Sequence, residues 1–408
     1  MSQTQSFRSD SLTKADRGAF RSFLTEKGID FFKLDSDSCD EFRPRKGITS
    51  LVKSGKVRNM YAFNTMIFET SNRLSVFDRV IKEDVPLKGC MLNLISQHNK
   101  QFLEEKGIST DYVEAPDNQL FRRAGFGVRD FNKLALSKIL EMFPLEFIVR
   151  GYIVGSAWKA YSRGESYCGF TFPKGLHEGQ KLENPILTPT TKAESGHDMP
   201  VDVSEAVTIV AKWISENNLN IINSDDIEEI CKSHPEIAQE IFEISDEAEE
   251  YAADIMEYTK VDFDCNDWWD YYEYALEYEL ANYYVNAIYQ ISLNVFEELS
   301  KELEKKGILF IDSKFEFGLD ENGNICLGDE VGTPDSSRFA PADIYEKTGK
   351  IVSMDKQIVR DYCSQIGFTG DEGQEIPELP DELWKKVTDT YVHIAELICG
   401  HDEVVRKK

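Results

Sequence analysis

Residues 311–330 read IDSKFEFGLDENGNICLGDE. Asp312, Lys314 and Glu316 interleave with Ile311, Phe315 and Phe317, and alternation with period two marks a strand with two unlike faces. Asn322-Gly323 predicts a two-residue type I′ hairpin turn, because both central positions of that turn need positive φ. In that register Glu321 pairs with Asn324, and Glu316 falls opposite Asp329 with Cβ atoms roughly 5 Å apart. Two carboxylates at that distance repel by roughly 3 kcal/mol at an effective dielectric constant of about 20, and by under about 1 kcal/mol in water. The acid pair is therefore either solvated or held by something positive. Taken alone, the stretch favours a wet charged hairpin; a metal site needs support from elsewhere.

At 408 residues the chain exceeds what one hydrophobic core usually serves, so two or more packed lobes are expected. Its 41% hydrophobic and 12% aromatic content supplies those cores and argues against global disorder. No window is apolar for long enough to span a bilayer, and MSQTQSFRSD does not read as a signal peptide. The eight cysteines are scattered, with no CxxC pair, which suits reduced thiols and a cytoplasmic setting better than disulfides or zinc. A net charge of −27 disfavours nucleic acid, and neither nucleic acid nor membrane is an expected partner. A small anionic ligand is compatible with that charge only where cations gather locally.

Along the chain, residues 1–50 read as a polar N-terminal extension. Short β-like runs follow, VRNMYAF and TMIFET, joined at Asn64-Thr65, then helical periodicity over 89–106 and an extended run at 144–156. The stretch 182–200 carries three prolines and reads as a loop. Residues 204–306 read as helical throughout; within 241–280 there are fourteen acids and one base, Lys260. The ordinary reading of that segment, an acidic outer face over inward aromatics, is preferred to a docking surface for a basic partner. The 308–331 hairpin follows, then a loop over 331–346, and C-terminal helices over 354–366 and 380–400.

Several segments present cations. Lys56 and Arg58 follow Gly55 at a strand start and, two apart, share one face, a phosphate clamp that is neither a Walker loop nor a GxGxxG turn. Arg150 lies in an apolar run with Ser156 six residues on, on the same face if the strand continues; it either snorkels or binds a buried anion. Asp335, Ser336, Ser337 and Arg338 form a turn that presents hydroxyls and a guanidinium, and Lys356 and Arg360 lie four apart on a helix. Each has a bland alternative. Their accumulation beside an acid pair in an acidic protein favours an anion-processing enzyme that uses Mg²⁺.

The segments GKVRNMY, NRLSVFD, FIVRGYIVGSAWKAY, ILTPTTKAESGHD, DSKFEFGLDENG, GDEVGTPDSSRF and DKQIVRDY occur in the order found in SAICAR synthases (phosphoribosylaminoimidazole-succinocarboxamide synthases), and the chain resembles that family over about 51–215 and 282–400. The N-terminal extension and the long acidic stretch at 215–281 depart from the family pattern without interrupting a motif. The resemblance implies an α+β fold: a kinase-like glycine-rich-loop β lobe, an ATP-grasp-like second lobe with an antiparallel sheet, C-terminal helices and a helical acidic insertion. The corresponding divisions are 1–50, 51–145, 146–353 (with the insertion at about 215–281) and 354–408. It also implies ATP and Mg²⁺ as cofactors, and 5-aminoimidazole-4-carboxylate ribonucleotide (CAIR) and L-aspartate as substrates; oligomeric state stays open.

By the same resemblance Gly55, Lys56 and Arg58 belong to the ATP loop and Glu316 and Asp329 to the metal. Arg150, Ser156 and Arg338 hold the phosphate and ribose end of CAIR. Asp312, Lys314 and Lys192 organise the transfer, and Asp335, Lys356 and Arg360 serve the aspartate side. His197 is as readily a loop-ordering hydrogen bonder as a base. Two rivals are weaker: a kinase-like phosphotransferase lacks HRD and DFG segments, and a non-enzymatic interaction protein would have lost these charged positions.

Overall fold

The computed structural model describes residues 50–54, 58–62, 66–77, 79–114, 121, 126, 128–192, 198–217, 268–354, 356–371 and 373–407. Expectations for the N-terminal extension, Gly55, Lys56, His197 and most of the acidic insertion lie outside these residues. In chain order the strands are β1 (Ser50–Ser54), β2 (Arg58–Ala62), β3 (Met66–Thr70), β4 (Arg73–Val76), β5 (Arg79–Asp84), β6 (Tyr112–Val113), β7 (Leu134–Ser137), β8 (Glu141–Met142), β9 (Leu145–Tyr152), β10 (Lys181–Thr191), β11 (Ile308–Leu319), β12 (Ile325–Gly328) and β13 (Ser337–Pro341). The helices are α1 (Lys88–Glu105), α2 (Gly155–Ser162), α3 (Val203–Glu216), α4 (Trp268–Lys305), α5 (Ala342–Thr348), α6 (Gln357–Gln365), α7 (Asp381–Cys399) and α8 (His401–Lys407).

A five-stranded sheet, β1-β2-β3-β7-β6, makes the N-terminal part, and β2 and β3 pair antiparallel from Arg58 opposite Thr70 to Ala62 opposite Met66. A second sheet runs β10-β9-β11-β12, with β13 and β8 also paired to β11. The two parts meet where Asp111 N donates to Leu327 O and Leu327 N donates to Ser109 O, at 2.9 and 3.0 Å. The apolar spacing of Met91, Leu92, Ile95 and Leu103 gives α1 one buried side, and it packs against α7, whose Tyr391, Ile394, Ala395 and Ile398 are buried. A capping box starts α3, with Asp202 and Glu205 each accepting from the other's backbone N–H. α4 packs on α3, β9, β10 and β11, its Phe296 stacked on Phe310 at 4.8 Å between ring centroids.

β11 is the spine of the second sheet, and it and its neighbours depart from the sequence expectations at several points. The hairpin register is one residue off: Glu316 lies opposite Gly328, not Asp329. Instead of a type I′ turn, Gly323 N donates to Asp320 O and Asp320 N to Asn324 O, with Gly323 at φ 71°. That is a type I turn closed by a left-handed glycine, the three-residue hairpin solution. Only Gly323 needs positive φ. Asp320 selects this turn, since its carboxylate accepts from the backbone N–H of Asn322 and Asn324 at 2.9 and 2.8 Å.

The apolar face is also split. Ladder positions go from Phe310 opposite Phe339 to Asp312 opposite Arg338, so Ile311 is an unpaired bulge residue. Phe310, Phe315 and Phe317 join the main core, whereas Ile311 packs with Tyr152, Leu309 and Ala340 in a separate cluster. The bulge turns Asp312 away from the side Phe310 occupies and onto the face of Lys314 and Glu316. In addition, 181–191 is a strand, not a loop. Among the described strands β10 pairs with β9 alone, and a register shift between Lys181 and Ile186 contains Pro185, so an edge position absorbs that proline. Likewise Ser337–Pro341, expected within a loop, is strand β13.

Candidate active site

On β9 and β11 the core takes Phe147, Val149, Phe315 and Phe317, which leaves Ile148, Arg150, Asp312 and Lys314 on the opposite face. These line a cleft of about 240 Å³ with Ser156, Pro334, Asp335, Ser336, Ser337, Arg338, Lys356 and Arg360. Five cations against two carboxylates give its walls a net charge of +3, in a protein of net charge −27. Such local reversal focuses potential on an anion. Every cation cluster expected from Arg150 onward meets here.

Sheet register builds the centre. Asp312 is directly opposite Arg150 on β9 and Arg338 on β13, so its buried carboxylate sits between two guanidiniums. Arg150 Nη1 donates to Asp312 Oδ2 at 3.1 Å, Nε to Thr188 Oγ1 at 2.9 Å and Nη2 to Ser156 Oγ at 3.1 Å; Arg338 also donates to Asp312. Three donors are spent on fixing the Arg150 fork, and the triad keeps one net positive charge for a ligand. The strand does not continue to Ser156, the condition on which the sequence put Ser156 on the face of Arg150; it ends at Tyr152, and Ser156 reaches Arg150 from the first turn of α2. Gly155 allows the close approach: its φ is +59°, and a Cβ there would lie 3.1 Å from Arg338 Nη2.

Lys314 joins this cleft to a second constellation of alternating charge. Its Nζ donates to Glu146 at 2.8 Å and to Glu316 Oε1 at 2.5 Å, while Lys192 donates to Glu316 Oε2. Arg58 pairs with Asp329 and reaches Glu330 at 3.2 Å. Burial works against the charge of Lys314, but Glu316, Glu146 and Asp329 hold its pKa well above the ordinary value. Burial alone would raise the Asp329 carboxyl, yet Arg58, Lys314 and Lys192 hold it well below the usual carboxylate range. Asp329 sits at φ 53°, a left-handed conformation uncommon for aspartate, just past the end of β12. The expected acid pair thus exists as a neighbourhood neutralised by lysine and arginine, not as two opposed strand residues.

Lys356 and Arg360 border the cleft from the start of α6, and burial pushes the Lys356 ammonium below its ordinary pKa against the pull of Asp335. Asp335 lines the cleft too, but Lys88 donates to its Oδ2 at 2.7 Å and Tyr391 to its Oδ1 at 2.6 Å. Both oxygens of Asp335, expected on the aspartate side, are therefore already engaged.

Sequence reasoning missed Glu146, Thr188, Lys88 and Tyr391. Glu146 shared the period-two face of Ile148 and Arg150 and could have been found; Thr188 was hidden by reading β10 as a loop. Among the described residues, no group of three or more acidic, histidine or cysteine side chains is placed to hold a metal, and Cys168, Cys326, Cys363 and Cys399 form no disulfide. No described helix is long and apolar enough to cross a membrane.

Fold and cleft together describe a protein of mixed helices and antiparallel sheets with a cation-lined cleft. A family model described as SAICAR synthetase matches residues 51–254 and 244–376, and the chain belongs to that family. It is 30% identical over 362 residues to the phosphoribosylaminoimidazole-succinocarboxamide synthase of Lachnospira eligens, covering 87% of this chain and 97% of that one. It is 32% identical over 358 residues to the enzyme of the same name from Desulforapulum autotrophicum, covering 86% and 95%. Among solved structures, a SAICAR synthase from Saccharomyces cerevisiae complexed with SAICAR superposes with a TM-score of 0.61 at 25% identity, over 88% of this chain and 97% of that one.

Proposed function

We propose that this chain is an ATP-dependent carbon–nitrogen ligase. It joins L-aspartate to the carboxylate of CAIR, giving SAICAR, ADP and phosphate in de novo purine biosynthesis. Family membership and the named relatives support the reaction. The observation that carries the site assignment is the +3 cleft joined through Lys314 to the acid–cation cluster.

A carboxylate is a poor electrophile, so it must be activated before an amine attacks it. One CAIR carboxylate oxygen attacks the γ-phosphorus, the bond to the ADP oxygen breaks, and an acyl phosphate forms. The aspartate nitrogen, having lost a proton, attacks the acyl carbon; the bond to phosphate breaks, and loss of a second proton from nitrogen leaves the amide. Each step crowds anions together, which is why the walls must be cationic. Gly55, Lys56 and Arg58 cover the ATP phosphates, and Arg58 Nε is a buried donor with no partner among the described residues. Arg150, Ser156 and Arg338 hold the phosphate and ribose of CAIR, with Asp312 fixing both guanidiniums. Lys314 and Lys192 meet the transferring phosphoryl, and Lys356 and Arg360 receive the carboxylates of aspartate.

Glu316 and Asp329 fit a Mg²⁺ site of limited protein contribution, since that ion is commonly bound by one or two carboxylates plus substrate phosphates and water. Bound there, Mg²⁺ would neutralise phosphate charge. The N-terminal sheet is read as a kinase-like glycine-rich-loop lobe over 51–145, and 146–353 as an ATP-grasp-like second lobe, flanked by an extension at 1–50 and helices at 354–408.

The test is a coupled ADP-release assay with Mg-ATP and CAIR. Rapid release is expected only when L-aspartate is added; equal rates with alanine, or with no amino acid, would refute the reaction.

A further inference from the structure

Lys88 breaks local rules. It opens α1, where the helix dipole repels a cation, the N-cap is Leu87 at φ 64° with no capping side chain, and the first turn contains no acid. It is also completely buried, a costly place for an ammonium without a partner. The partner is Asp335, 247 residues further along, at 2.7 Å. Tyr391 of α7 donates to the other oxygen of the same carboxylate and places its ring 5.5 Å from Lys88 Nζ. Three distant elements thus converge on one side chain of the cleft wall.

That carboxylate has a third neighbour, Lys356, whose Nζ stands 4.0 Å from Asp335 Oδ1, the oxygen Tyr391 occupies. The backbone around Asp335 is fixed as well: Asp335 N and Ser336 N both donate to Thr333 Oγ1, and Lys314 N donates to Ser336 O at 2.9 Å. Lys356 is faced by Asp335 and Glu330 on one sign and by Arg360 and Lys88 on the other. Freed of its tyrosine, Oδ1 would be left facing Lys356, and the lysine would close the remaining distance.

We propose that Lys88 and Tyr391 are positioning residues for the aspartate side of the reaction: by saturating Asp335 they keep Lys356 turned toward the cleft. The inference rests on the ligase reading above and adds to it residues that touch no substrate.

Tyr391→Phe tests it, with ADP release measured against each substrate in turn. The expected result is a rise of about tenfold in KM for L-aspartate, the size of one lost hydrogen bond to a charged group, with KM for ATP and for CAIR within about twofold. The alkaline limb of the pH–rate profile moves to higher pH, because Lys356 drawn against Asp335 holds its proton longer. A folded Tyr391→Phe with wild-type KM values, or with an equal rise for ATP or CAIR, would overturn the proposal. A second comparison guards against simple misfolding. Lys88→Met loses stability and raises the aspartate KM; adding Asp335→Asn removes the orphaned charge that draws Lys356 away, so the double variant regains thermal stability and most of the wild-type aspartate KM. A double variant that regains stability yet keeps the raised KM would show that the Asp335 charge does not draw Lys356 away, and would sink the idea. Wild-type turnover measured alongside separates the two readings: no aspartate-dependent ADP release there removes the ligase itself, whereas an active wild type with an indifferent Tyr391→Phe removes only the clamp.

Discussion

Both oxygens of Glu316 are engaged, one by Lys314 and the other by Lys192, while Asp329 answers to Arg58. A wet hairpin would let Glu316→Gln change little, and two opposed acids would make it stabilising. The observed pairing gives the opposite sign: the substitution leaves Lys314 and Lys192 with less counter-charge and is expected to cost about 1–3 kcal/mol in a urea titration without metal. ADP release should fall at least about a hundredfold, since charge aimed at the phosphoryl is disturbed. Gly155→Ala is expected to raise KM for CAIR with little effect on KM for ATP, because the new Cβ meets Arg338 and must adopt φ near +59°. Steady-state kinetics on both substrates check it. Most of the cleft was legible at this level. Arg150, Asp312, Lys314, Arg338, Lys356 and Arg360 were all named from residue type and motif, and all line it. Lys88 and Tyr391 were not legible, because their meaning lies in contacts 247 and 56 residues away.

The hairpin between β11 and β12 shows what the elements did and did not disclose. Its existence followed from alternation and from Asn322-Gly323, but register depended on which turn closes it, and Asp320 decides that through its own backbone bonds. The observed turn separates two substitutions that a type I′ turn would treat alike. Gly323→Ala forces a left-handed residue and is expected to cost about 1–2 kcal/mol, while Asn322→Ala stays within about 0.5 kcal/mol; denaturant midpoints distinguish them. Equal losses would restore the two-residue turn. The bulge at Ile311 and the edge strand β10 were illegible for a related reason. A bulge shows only in pairing with β13, and prolines exclude a strand only where both of its sides must pair.

Across the molecule, the buried ion pairs make stability depend on pH in a definite sense. Burial alone would raise Asp329 and Asp335, but Arg58 in one case, and Lys356 and Lys88 in the other, hold both well below the usual range. Unfolded aspartates titrate near pH ~3.9, so their contribution is fully present above that value and is lost as pH falls below it toward the lower folded-state range. Glu146, raised by burial, works the other way and softens the slope. Urea midpoints should therefore drop from pH 6 toward pH 3, and less steeply in Asp335→Asn; parallel curves would contradict these assignments. Replacing about 225–275 with a Gly/Ser linker is expected to leave nucleotide and CAIR binding intact by calorimetry, since every cleft residue lies outside that span. Lost binding in a folded variant would give the insertion a part in the site. Activation of a carboxylate by phosphorylation in this cleft leaves an isotopic trace. CAIR with both carboxylate oxygens labelled with ¹⁸O, turned over with Mg-ATP and L-aspartate, must deliver one labelled oxygen to each phosphate released and keep the other in the new amide. Phosphate free of label would contradict it.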